Sequence, residues 1–171
     1  MTSEGIPVNN AGLVLLNGYI ELLFDRLGLF NGSRTFLNAE APFYAIKYLQ
    51  FLATGTINTE KDVLVLNNIL CGVPLLTPIK HDLEVSATNK ELIESLIKAA
   101  IGQWPQIGQS SIDGFRGNWL LREGLLVEYA DRWELTVEKK AYDILIARSP
   151  FSLSVIKYPW MDKPIHVNWP N

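Results

Sequence analysis

The residues that most often carry metal and nucleophile chemistry are scarce: among 171 residues there are one cysteine and two histidines. A single cysteine excludes an internal disulfide framework and a cysteine-rich zinc site. His81 and His166 stand far apart with no ligand cluster beside either, and a two-histidine centre needs further ligands. Charge is sparse too. Charged residues make up 19% of the chain and the net charge is −3, which argues against a protein held to nucleic acid by bulk electrostatics. The hydrophobic share, 48%, excludes intrinsic disorder. Long unbroken apolar runs are missing as well. Residues 11–30 are interrupted by Asn17, Glu21, Asp25 and Arg26, and residues 63–79 by Asn67, Asn68, Gly72 and Pro74, so neither reads as a membrane helix. No basic region precedes an apolar stretch at the N-terminus, so a secretory signal is not expected and the chain reads as soluble and cytoplasmic.

Enzyme signatures are equally thin. There is no G-x-S-x-G elbow, no G-x-x-x-x-G-K loop, no G-x-G-x-x-G turn and no H-E-x-x-H pair. Cys71 sits between Leu70 and Gly72 at an apolar helix end, where a free thiol behaves as a small buried hydrophobe. Asp113, Glu123 and Glu128 have no context that would raise a carboxylate pKa, and capping or solvation explains them. Neither an enzyme nor a bound cofactor or metal is expected.

What remains is a pattern of helices followed by strands. The length suits one domain of the usual ~100–200 residues, with residues 1–8 as a flexible lead-in and 9–171 as a single globular domain. A first helix is predicted over 11–29, capped by Asn9 or Asn10 and stopped by Gly28, Asn31 and Gly32. Pro42 opens a second helix that ends before Gly55, and Thr59 with Glu60 and Asp62 opens a third that Gly72 and Pro74 close. Thr88-Asn89-Lys90-Glu91 has the form of a capping box for a fourth, and Ser110 or Ser111 caps a fifth in which Ile112, Phe115 and Trp119 share a face. After Gly124 the period becomes two, and residues 125–129 and 133–137 read as a hairpin. A short helix over 139–147 and strands near 152–157 and 165–168 complete the chain. The expected fold class is mainly α (α+β), with about five to six helices and a small antiparallel sheet in the C-terminal third.

Two regions invite a binding role. Residues 110–137 place a helix before a hairpin, as a winged-helix DNA-binding domain does, with Arg116, Arg122 and Arg132 as phosphate contacts. Asp113, Glu123, Glu128, Asp131 and Glu134 share that stretch and would repel a nucleic-acid backbone, so packing or protein binding is favoured. The other region is Tyr158-Pro159-Trp160-Met161, apolar yet kept from regular structure by proline, and rich in residue types enriched at protein interfaces.

Read in order, a set of strings is distinctive: V-N-N-A-G-L-V-L-L at 8–16, Y-L-Q-F-L-A-T-G at 48–55, L-N-N-I-L-C-G-V-P-L at 66–75, and A-A-I-G-Q-W-P at 99–105. S-I-D-G-F-R-G-N-W-L-L-R-E-G at 111–124, W-E-L-T-V-E-K-K-A-Y-D-I-L at 133–145 and I-K-Y-P-W-M at 156–161 continue the series. The set resembles the C-terminal region of the tape measure proteins of contractile injection systems, the phage-tail-like particles that bacteria assemble. The resemblance implies a non-enzymatic structural component that works with inner tube and baseplate proteins and helps set tube length or nucleate assembly. It places the chain in the bacterial cytoplasm during assembly and then in the particle. It supplies no catalytic residues. Arg116, Arg122, Trp160 and Met161 are the candidate protein contacts. Members of this kind are usually longer, so the chain is expected to be a terminal domain or a short member. Even a wholly helical chain of this length would reach only about 260 Å at ~1.5 Å per residue, and a folded one has a radius of gyration near ~16 Å.

Overall fold

The computed structural model describes residues 4–57, 63–79 and 82–170. Strand β1 (Ile6–Val8) leads into a 3-10 turn, Ala11–Leu16, and helix α1 (Asn17–Arg26). Helices α2 (Ala41–Thr54), α3 (Val65–Leu70) and α4 (Ala87–Gly102) follow. Helix α5 (Ile112–Phe115) runs straight into a π turn, Arg116–Leu120. Strands β2 (Gly124–Glu128) and β3 (Trp133–Val137) form the expected hairpin. A 3-10 segment, Ala141–Arg148, then precedes β4 (Val155–Ile156) and β5 (Ile165–Asn168). The class is α+β, as the sequence indicates. No helix among the described residues is long and apolar enough to cross a membrane.

Local chemistry accounts for most boundaries. Asn38 Oδ1 accepts from the Ala41 amide at 2.9 Å and so satisfies the first amide of α2, whose first turn holds Pro42. The same helix stops at Gly55, where φ is +79°, a conformation that costs glycine nothing. Ser86, two residues ahead of the predicted Thr88, caps α4 by accepting from the Asn89 amide at 3.1 Å. Ser111 caps α5 through the Gly114 amide at 2.9 Å. The opening of the third helix at Thr59, Glu60 and Asp62 lies outside the described residues.

The predicted first helix is split. Its start, Ala11–Leu16, is a wholly buried 3-10 turn. A β-carbon on Gly12 would lie 1.6 Å from the Trp119 carbonyl oxygen and 2.6 Å from Leu120 Cα. Backbone therefore packs directly on backbone here, and the tighter turn carries its five side chains into the core. The contact is fixed by the Ala11 amide, which donates to the Arg122 carbonyl at 2.9 Å. This bond also draws Ile6–Val8, part of the expected lead-in, alongside β2 as an added strand.

The sheet order is β1-β2-β3-β5-β4. All neighbours are antiparallel except β3 and β5, which run parallel with Trp133 opposite Ile165. A parallel pair needs a crossover, and the segment holding the 3-10 turn and β4 provides it. The helices and the inner sheet face bury one connected core that includes Phe24, Leu49, Trp104, Phe115, Leu126 and Leu135.

Candidate functional site

Arg122, chosen from sequence as a surface contact, is instead the centre of a buried charge box. The π turn ahead of it rotates Trp119 and Leu120 inward, and the strand that follows turns its side chain under the sheet. Its guanidinium grips Asp143 with two bonds, Nη1 to Oδ2 at 2.9 Å and Nη2 to Oδ1 at 2.6 Å, and neither side chain reaches solvent. Nε donates to the Asn118 carbonyl at 2.7 Å and Nη1 to that of Glu138 at 3.2 Å. Three rings surround the cation, at 5.2 Å for Trp119, 5.1 Å for Tyr142 and 5.4 Å for Trp169. Asp143 is equally occupied. Its Oδ2 also accepts from the Lys140 amide at 2.9 Å and from Trp169 Nε1 at 2.9 Å. Burial alone would raise the Asp143 pKa, but the bonds from Arg122, Lys140 and Trp169, with the Arg122 charge, hold it below the ordinary carboxylate value.

A second polar group in the core carries no charge. Asn10 Nδ2 donates to Asn67 Oδ1 at 2.8 Å and to Gln50 Oε1 at 3.2 Å, while Asn67 Nδ2 donates to the Ile46 carbonyl at 3.0 Å. The amides thus tie the start of the 3-10 turn to α2 and α3. Asn68 points the other way, donating to the carbonyls of Leu75 and Thr77 at 3.0 Å each and pinning the loop after α3. Asn10, Gln50, Asn67 and Asn68, polar letters inside the V-N-N-A, Y-L-Q-F and L-N-N-I strings, are therefore internal ties, while Asn9 is exposed.

Arg116 is also committed. Its side chain, 8% exposed, donates from Nε to the Leu52 carbonyl at 3.0 Å and from Nη2 to that of Phe51 at 3.3 Å. Both carbonyls belong to the last turn of α2, where a cation is favoured by the helix dipole, and that of Phe51 also accepts from the Gly55 amide at 2.7 Å. Asp113 lies 3.7 Å from Nη1. Burial lowers the Arg116 pKa, against the opposing pull of Asp113 and Glu94.

The Tyr158-to-Met161 segment is a clasp. Trp160 Nε1 donates to the Leu70 carbonyl at 2.7 Å, and its ring lies 5.0 Å from Phe36 and 5.3 Å from Phe30. Tyr158 Oη donates to the Asn17 carbonyl at 2.6 Å. Gly72, with φ at +70°, lets the Trp160 carbonyl approach to where a β-carbon would be only 2.3 Å away. Met161 is buried and Trp160 partly so. Both line a groove of about 490 Å³ with Val73, Leu75, Trp133 and Lys163. Leu76, just beyond the Leu75 wall in sequence, is 70% exposed.

Among the described residues the remaining candidates do not assemble a reactive centre. Cys71 is buried, and desolvation pushes its thiol well above the ordinary value, which favours the unreactive protonated form. His166 is exposed on β5, and His81 lies outside the described residues. Among the described residues no group of three or more His, Cys, Asp or Glu side chains is placed to hold a metal ion. In the hairpin, Arg132 pairs with Asp131 at 2.9 Å and Glu134 at 3.1 Å and stacks over Tyr129 at 4.3 Å. All three arginines of the winged-helix reading are thus engaged within the chain.

Sequence reasoning missed Asp143 and Trp169, the partners of Arg122. No local spacing links positions 122, 143 and 169; the available hint was an arginine directly after the apolar W-L-L run, where a solvated side chain is out of place. A family model described as contractile injection system tape measure protein matches residues 1–169. Comparison with curated proteins and with solved structures gives no match.

Proposed function

Because the chain belongs to the contractile injection system tape measure protein family, whose model covers residues 1–169, we propose that it is a docking module that grips inner tube or baseplate proteins. Through that grip it helps set tube length or nucleate assembly. Family membership is the observation that carries this reading, and it makes the chain a structural component of the particle. The packing supports the finer role. A core closed by a charge box, an amide cluster and an aromatic clasp offers a rigid surface, whereas a ruler acting by its own extension needs length that a packed chain gives up.

The proposed contact face is the groove beside Trp160 and Met161 together with the exposed Leu76, next in sequence to its Leu75 wall; Arg116 and Arg122 serve it only from within, by fixing the fold. Assembly takes place in the bacterial cytoplasm on this reading, before the chain becomes part of the particle. A Leu76→Asp variant tests the face, since the side chain is exposed and its loss leaves the core intact. Co-purification with tube or baseplate proteins should fall about tenfold, and particles imaged by electron microscopy should be fewer or of irregular length. Deletion of the gene with normal particle length and yield would refute the role.

A further inference from the structure

The two edges of the sheet are not alike. At the β1 edge, Val8 and Ile6 pair with Gly124 and Leu126, whose backbone groups turn toward β1, so Pro7 faces outward. Proline has no N–H to offer, and that edge is blunted. The β4 edge has no such guard. The Val167 amide donates to the Ser154 carbonyl at 2.9 Å, and Ile156 lies opposite Ile165, so the intervening Val155 turns both its N–H and its C=O away from β5. Neither group has a partner among the described residues, and the Val155 side chain is 53% exposed.

Alongside this open edge runs a groove of about 460 Å³ between β4 and α1. Leu22, 49% exposed, faces it with Val155, and both signs of charge line it: Glu21 and Asp25 on α1, Arg34 and Lys157 across from them. Arg34 approaches Glu21 only to 3.9 Å. A groove of one sign would repel a copy of itself; one carrying both signs meets the requirement of an isologous contact, in which a single patch must complement itself.

We infer that the β4 edge and the α1 groove form a homodimer interface, with the Val155 residues of two copies paired antiparallel about a twofold axis. A residue whose N–H and C=O both point outward exchanges two hydrogen bonds with its own symmetry mate, which joins two sheets into one. The same axis keeps both α1 helices on one face of the joined sheet, with the exposed Leu22 of each copy on that face, while the Val155 side chains lie on the other face beside the exposed His166. The second copy is favoured over an extended peptide because the groove is charge-balanced and contributes apolar side chains from both a strand and a helix.

Sedimentation of the full chain over a concentration series tests this. The wild type should be dimeric at micromolar concentration. Val155→Pro removes the donor, and Leu22→Glu places like charges across the axis; each should weaken dimerisation about tenfold or more while leaving the circular dichroism unchanged. Ile144→Glu, exposed and away from the groove, should stay dimeric. If Val155→Pro does not fold, Leu22→Glu decides. A wild type that is monomeric throughout, or a dimer indifferent to both substitutions, would overturn the assignment. Binding to tube or baseplate proteins, scored separately, distinguishes failure of this interface from failure of the docking role.

Discussion

The Asn10–Gln50–Asn67 cluster and the Arg122–Asp143 pair both place polar groups where water does not reach, yet they are built from different materials. The amides are neutral, so their desolvation is a modest cost that a few hydrogen bonds offset. The ion pair takes two full charges out of water, which costs several kcal/mol per ion even after relaxation. It persists because every face of both groups is occupied, by backbone carbonyls, a backbone amide, an indole N–H and three aromatic rings. The amide cluster tolerates imperfection, and the ion pair does not.

That difference can be broken most sharply at Arg122. Arg122→Met leaves Asp143 buried without a counter-charge and should destabilise the fold by about 3–5 kcal/mol in urea denaturation. Adding Asp143→Leu removes the stranded carboxylate and should restore most of the loss. A double variant as unstable as the single one would show that the site's worth lies in its hydrogen bonds to the backbone. Asn67→Ala, which strips the amide cluster of its central member, should cost less, about 1–3 kcal/mol. The smallest effect near neutrality is that of pH. Because Asp143 has its pKa held below the ordinary value, its contribution is fully present above the unfolded value of about 3.9 and is lost as pH falls through the folded one. Thermal melts should therefore show an acid-dependent decline in the wild type and in Asn67→Ala, and a shallower one in the Arg122→Met, Asp143→Leu protein.

Much of the fold is written locally. Gly55 ends α2, Ser111 caps α5, and the alternation at 125–137 gives the hairpin, because a cap or a period acts within a few residues. The split of the first helix was not legible, since the reason for it is Gly12 lying on the backbone of Trp119 and Leu120, more than a hundred positions away. The parallel pairing of β3 with β5 was hidden for the same reason: period two marks a strand but not its neighbour. The candidate contacts suffered most. An arginine on paper is a surface residue by composition, and only the distant Asp143 and Trp169 reveal that Arg122 belongs inside. Trp160 and Met161 read from sequence only as candidate protein contacts, and the clasp that Trp160 makes with Leu70 and Phe36 depends on loops that meet only in the fold.

The strand directions carry one mechanical consequence. β1 is antiparallel to β2, β2 to β3, and β3 is parallel to β5, so β1 and β5 point the same way. Tension applied at Ile6 and at Asn168 would therefore pull on opposite ends of the sheet. The ladders between β1, β2, β3 and β5 would be loaded in shear, many bonds at once, instead of being peeled open one at a time, and the Trp169 plug over Arg122 would sit at the loaded corner. A chain folded this way is suited to bear a load passed along its length.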